Sequence, residues 1–270
     1  MATRFQTEPE SGSQFQTDRF QQALAHWNRE RLAPAYPDEN PGALERDFRW
    51  ARLELGFLEE LRAEVKDEAA AAPTEARAFV EWFEALEPNG PGQHDALFEW
   101  IEHQATLDQL KWYLTQEAAG EAGFDDLVAL TQVRIPDQAK LELARNYWDE
   151  MGRGNPKGMH GPMLHFVVET LGLEPTIEAT VWESLALANL MTAMATNRRY
   201  AWHSVGALGA IELTAPARSA ATGRGMRRLG LDAPTRRYFD LHATLDVKHS
   251  EEWNKEAILP LVSEDPKRAT

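Results

Sequence analysis

From residue 18 onward, apolar residues recur every three or four positions, the spacing of one helix face, while the strict alternation of a half-buried strand is scarce. The spacing predicts helices over 18–32, 42–70 and 73–86, where Pro73 suits a first helical turn. The breaker cluster Pro88-Asn89-Gly90-Pro91-Gly92 follows. Beyond it, helices are predicted over 94–103, 107–120, 124–133 and 137–151, then over 160–171, 175–197, 199–213 and 234–259 after a glycine-rich link at 152–158. The expected fold is an all-α bundle. Between 181 and 212 only Glu183, Arg198 and Arg199 are charged before Glu212, which marks central helices, and Gly206 and Gly209 would let a neighbour approach closely. Residues 1–17 are polar and carry a near-repeat, Phe5-Gln6-Thr7 and Phe15-Gln16-Thr17, expected of a mobile tail. The expected organisation is therefore a tail at 1–17, a helical section at 18–92 and a main domain at 93–270, the last two free to share one core.

Against this pattern, several ionisable residues occupy apolar positions. Glu117 continues the stripe Leu107, Leu110, Leu114, and Glu212 continues Val205 and Leu208. Glu150 lies seven beyond Leu143 and three beyond Tyr147. His242, Asp246 and His249 sit at i, i+4 and i+7, which stacks them on one helix face together with Phe239 and Trp253. A buried carboxylate is costly unless it is paired or bound to a metal. Imidazoles and carboxylates converging from several helices suit iron or manganese. An ion pair with Arg145 or Arg199 is the simpler alternative for any one glutamate.

Composition narrows the chemistry. With 28 basic and 43 acidic residues the net charge is −15, and no basic run exceeds two residues, so a nucleic-acid surface is not expected. There is no cysteine, which excludes disulfides, iron–sulfur clusters and thiolate-ligated haem. The N-terminus lacks the apolar core of a signal peptide, and the longest uncharged run, 184–197, is too short to cross a bilayer. A soluble, cytoplasmic protein is expected, with no membrane partner.

The order Glu150…His160…Glu212…His242-x-x-x-Asp246-x-x-His249 resembles the haem-oxygenase-like di-metal oxidases and oxygenases, the iron-containing redox enzymes. So do the segments Asn146-Tyr147-Trp148-Asp149-Glu150-Met151-Gly152-Arg153-Gly154 and Gly206-Ala207-Leu208-Gly209-Ala210-Ile211-Glu212; the likeness spans 98–253. The two Glu-x-x-His pairs of ferritin-like bundles are not the pattern here. The resemblance implies a haem-oxygenase-like helical bundle in which Glu150, His160, Glu212, His242, Asp246 and His249 bind two Fe(II) ions, with Glu117 matching an additional glutamate ligand of some members. It implies no haem, whose propionates so many carboxylates would repel. It further implies that dioxygen, as co-substrate, is reduced to a bridging peroxide set against the substrate.

Relatives of this kind oxygenate amines, decarboxylate fatty acids to terminal alkenes, fragment amino-acid side chains or modify their own residues. The leading expectation is an O2-dependent oxidase or oxygenase of a small amine- or amino-acid-like molecule, with an unidentified electron donor. A fatty-acid decarboxylase and a non-catalytic helical scaffold are the alternatives. Arg199, beside Arg198, is the expected partner of a substrate carboxylate. Tyr147, Trp148, Tyr200, Trp202 and Tyr238 are candidate pocket walls, and His165 and His203 candidate supports of the ligands. The N-terminal helices are expected to cover the pocket or form a homodimer contact.

Overall fold

The computed structural model describes residues 13–36, 42–90, 92–121 and 123–269. Among these there is no strand, and the fold is an all-α bundle. Helix α1 (Asp18–Leu32) starts where the Thr17 hydroxyl accepts the Phe20 N–H. Helix α2 (Ala43–Glu64) stops at Val65, so the single helix expected over 42–70 is two, the second being the short α3 (Lys66–Ala70). Helix α4 (Ala76–Glu84) begins after Glu75, whose carboxylate accepts two backbone N–H groups, rather than at Pro73. A short α5 (Leu86–Asn89) runs through Pro88.

Helices α6 (Ala96–His103) and α7 (Leu107–Gly120) follow, the latter opened by a reciprocal Thr106–Gln109 capping box. Then come α8 (Phe124–Thr131), α9 (Asp137–Glu150), α10 (His160–Leu171) and α11 (Trp182–Thr196). Helix α12 (Ala201–Arg228) pairs along its length with α13 (Ala233–Trp253). After α13 the chain makes a π turn, Asn254–Ile258, and ends in α14 (Leu259–Glu264) and α15 (Pro266–Ala269).

The breaker cluster does not divide the core. Phe79 and Phe83 of α4 pack in one apolar cluster with Leu208, Trp253 and Leu261. Helix α1 is tied to α11 by a buried amide network in which Asn28 donates to Asn189, and Asn189 donates to Gln21. Arg31 pairs with the buried Glu54 at 2.5 Å and stacks on Trp27. Residues 1–12 of the expected tail, Phe5 among them, lie outside the described residues. Phe15 is 5% exposed and packs with Leu24, Trp27 and Phe57, against Gly56.

Helix α12 extends fifteen residues past the expected end at 213, through Pro216. Proline removes one helical donor, but packing outweighs that loss. A Cβ on Gly225 would stand 2.5 Å from the Ile101 carbonyl oxygen, and one on Gly223 would stand 2.8 Å from Asp240 Oδ1. Glycines there let α6 and α13 lie flush against the extension. Gly209 serves the same purpose for Trp253, whose indole N–H donates to the Val205 carbonyl at 3.1 Å. Gly206, by contrast, has open space beside it. Among the described residues no helix is long and apolar enough to cross a membrane.

Candidate metal centre

The link between α9 and α10 brings the first two candidate ligands together. Gly152, Arg153 and Gly154 all adopt positive φ, at 61°, 54° and 81°. A Cβ on Gly152 would stand 2.4 Å from the Gly158 carbonyl carbon, so only glycine allows the link to fold this tightly. Met151 and Met159 thereby form an isolated bridge. The last residue of α9, Glu150, then meets the first residue of α10, His160, with Oε2 and Nδ1 2.6 Å apart. Both side chains are buried, and the His160 Nδ1 is nonetheless outside hydrogen-bond geometry. Two donor atoms this close, unbonded and buried, suit convergence on a shared cation.

Helices α12 and α13 supply the others. Glu212 accepts from the Asn146 amide at 2.6 Å and lies 3.4 Å from His249 Nδ1. On the far side of that ring, Nε2 faces Asp149 at 3.3 Å, and Asp149 is held by Arg153. A carboxylate behind the imidazole orients it and leaves Nδ1 toward the cluster. His242 donates from Nδ1 to the Tyr238 carbonyl at 2.7 Å, which leaves Nε2 free to bind a metal. Its ring lies edge-on to His160, centroids 4.6 Å apart.

Two groups of three donor residues result: Glu150, His160 and His242, and Glu150, Glu212 and His249, each with its donor atoms within 4.8 Å of one another. Glu150 is common to both. Asp246 is in neither trio but is 2% exposed, and its Oδ1 has no hydrogen-bond partner. It lines one cavity with Glu150, Glu212 and His242.

The electrostatics ask for positive charge. Burial, with Glu212 beside it, pushes the Glu150 carboxyl well above the carboxylate range. Burial and the carboxylates Glu212, Glu150 and Glu121 push Asp246 up to about 10. Burial lowers His160 and His242 to about 4, each further disfavoured by a neighbouring histidine. His249 goes the other way: burial lowers it, but Glu212 and Asp149 overcome burial and raise it to about 9. Among the described residues no lysine or arginine pairs with Glu150, Glu212 or Asp246. Divalent cations fit such a donor set, because they supply the missing charge and use the neutral imidazoles of His160 and His242 as they stand, while His249 would give up its proton.

The cavity opens to solvent and is walled by Phe124, Leu187, Met191, Ile211 and Phe239. Glu117 and Glu121 line it from the end of α7, outside both trios. Glu121 accepts from the Tyr238 hydroxyl at 2.9 Å and, chiefly through burial, is raised to about 8; Glu150 adds to that shift. Glu117 is exposed where it lines the cavity, with the Tyr113 hydroxyl beside its carboxylate. Burial raises its carboxyl and Arg218 opposes the rise.

Arg199 lies elsewhere. It is exposed and borders a separate depression with Glu59, Arg62, Tyr200 and His203. Arg198 spends its guanidinium on the Leu130 and Thr131 carbonyls. His165 is exposed and faces Glu169 at 3.2 Å, and Trp148 is also exposed. Sequence reasoning missed Asn146, Asp149, Tyr238 as a support of His242, and Arg218 in the cavity wall. Asn146 and Tyr238 each stand four residues before a candidate ligand, one helical turn away, which is the signal that could have found them.

No curated protein matches the chain. The family described as iron-containing redox enzyme matches residues 111–270, and both donor trios lie within that span. The chain belongs to the iron-containing redox enzymes of the haem-oxygenase-like superfamily.

Proposed function

We propose that the protein is a non-haem di-iron enzyme that uses dioxygen to oxidise a small amine- or amino-acid-like molecule. The observation that carries this reading is the single carboxylate, Glu150, common to two donor trios. One ion would be held by Glu150, His160 and His242, the other by Glu150, Glu212 and His249, with the unpartnered oxygen of Asp246 in reserve. Two ferrous ions would supply the electrons and Lewis acidity that dioxygen chemistry needs.

The chain's own work is to hold and orient. The Tyr238 carbonyl and the Asp149 carboxylate set which ring nitrogen His242 and His249 present. Phe124, Met191 and Phe239 give the inner cavity an apolar wall. Glu121, above the usual carboxylate range and bonded to the Tyr238 hydroxyl, can hold a proton at its carboxyl near neutrality. The same apolar wall suits a fatty-acyl chain, so oxidative decarboxylation is the second reading.

Anaerobic loading with Fe(II), followed by exposure to O2 with candidate amines, amino acids and fatty acids, tests the proposal. Roughly two irons per chain and substrate-dependent O2 uptake are expected. No specific iron uptake, or uptake indifferent to His242→Ala, would leave a helical binding protein instead.

A further inference from the structure

Arg218 is the one cation in the wall of the cavity among the described residues. It lies six residues beyond Glu212 on α12, a rise of about 9 Å toward the outer cavity. Its Nε and one terminal nitrogen are steadied by the Thr214 carbonyl and hydroxyl, both at 3.1 Å. It makes no ion pair among the described residues. Glu117 is close enough for Arg218 to draw its carboxyl down, yet the two do not close onto each other. Gln116, Ser184 and Ser219 border the same cavity.

We propose that Arg218 and Glu117 are the two poles of a zwitterion site. Arg218 receives the carboxylate of an α-amino acid, Glu117 receives its ammonium group, and the side chain runs along the apolar wall toward Glu150 and His242. This rests on the cavity being the substrate site of the proposed oxidation, and it gives Glu117 to the substrate rather than to a metal. A guanidinium offers a carboxylate two parallel hydrogen bonds. A bare fatty acid would satisfy Arg218 but would set its own charge beside Glu117. A bare amine would satisfy Glu117 but leave the half-buried Arg218 without an anionic partner, forgoing its paired hydrogen bonds. The pair therefore selects against both simpler ligands.

The test is calorimetric titration of the anaerobic Fe(II)-loaded protein with the twenty standard L-amino acids and L-norleucine. The best binder is then compared with its des-amino acid and its decarboxylated amine; for L-norleucine these are hexanoate and pentylamine. Both truncated ligands are expected to bind at least tenfold more weakly. Arg218→Gln should lose at least tenfold in affinity for the amino acid, with Arg218→Lys intermediate. Glu117→Gln should weaken the amino acid while leaving the des-amino acid unchanged or tighter. Iron stoichiometry should match the parent in all three variants.

Loss of iron in Glu117→Gln would make Glu117 a ligand and overturn the assignment. So would binding indifferent to Arg218, a des-amino acid that binds as tightly as the amino acid, or no binding by any of the panel. The metal count is read separately: iron bound with Arg218 irrelevant sinks the zwitterion site alone. Absent iron sinks the redox reading, and the same titrations on the metal-free protein then decide the zwitterion site: tenfold loss in Arg218→Gln supports it, and indifference overturns it.

Discussion

A carboxylate that serves two metal positions is more sensitive to substitution than one that serves a single position. Glu150 belongs to both donor trios, whereas His249 belongs to one. Glu150→Ala should therefore lower iron from roughly two per chain toward none, and His249→Ala toward one, read by colorimetric iron assay after desalting. Asp149 touches the cluster only through the far nitrogen of His249. Asp149→Asn should retain both irons at saturation but weaken one by about 10–100-fold, as loss of an orienting partner does elsewhere, measured by competition with a chelator. At this scale much was legible in the sequence. Glu150, Glu212, His242, Asp246 and His249 were readable as polar interruptions of apolar faces, because helical period turns such residues inward; His160 entered only through the resemblance in residue order, and Glu117, read from the same kind of stripe, is exposed. Arg199 borders a depression apart from the donor cavity. A basic residue between two central helices looks inward on paper, but the short turn at Arg198–Tyr200 leaves it exposed.

The element that closes the site is the glycine link rather than either helix it joins. Gly152 combines a φ of 61° with backbone atoms of residues 158 and 159 inside 3 Å of any added Cβ. Gly152→Ala should cost about 1–2 kcal/mol for the left-handed backbone alone, and more for the clash. The larger effect should be a separation of Glu150 from His160, seen as loss of iron at a protein concentration where the parent is saturated. Gly161, one residue into α10 from His160, has open space beside it. Gly161→Ala is therefore the control, expected to change helix stability by no more than about 1 kcal/mol and to leave iron binding intact. The glycine-rich composition of 152–158 announced a turn, but the bridge of Met151 to Met159 is tertiary information. Likewise α12 had no sequence signal to run past Pro216. Its length is set by the glycine faces that α6 and α13 rest on, and that length is what carries Arg218 to the cavity.

For the whole molecule, the metal-free fold carries a charge pattern that makes its stability depend on pH. Asp246 and Glu121 are held at about 10 and about 8, above their ordinary 3.8 and 4.5, so the folded chain keeps protons that the unfolded chain releases. Their contribution is present at low pH and lost as pH rises from the ordinary carboxylate range through about 8 and then about 10. His249, held at about 9 against 6.5, also loses its contribution as pH rises through that value. His160 and His242 act at the other end: held at about 4, they stay neutral in the fold, and the unfolded chain gains protons below 6.5, so stability falls as pH drops from there. The metal-free protein should therefore be most stable near weakly acidic pH, with its melting temperature falling between pH 7 and 9. Iron should flatten that alkaline slope and raise stability by about 2.7 kcal/mol at a free concentration 100 times its Kd. Binding should also release protons, measurable as a buffer-dependent heat in titration calorimetry. A metal-free melting temperature that rises from pH 7 to 9 would contradict this charge assignment.

Period, composition and residue order by themselves determined that the described residues are mostly helical, that no thiolate is on offer to a metal, and that Glu150, Glu212, Asp246 and His249 interrupt apolar faces. These follow from local rules: a 3.6-residue turn fixes which residues share a face, and burial cost makes an inward charge conspicuous. Only the tertiary structure decided which donors meet, that Glu150 stands between two trios, that the N-terminal helices join the same core through Phe79 and Phe83, and that Arg218 rather than Arg199 faces the cavity. Those outcomes depend on where helices stop and how closely they approach. Both are settled by contacts between residues far apart in the chain, such as Gly225 against Ile101 and Gly209 against Trp253, which no local pattern encodes.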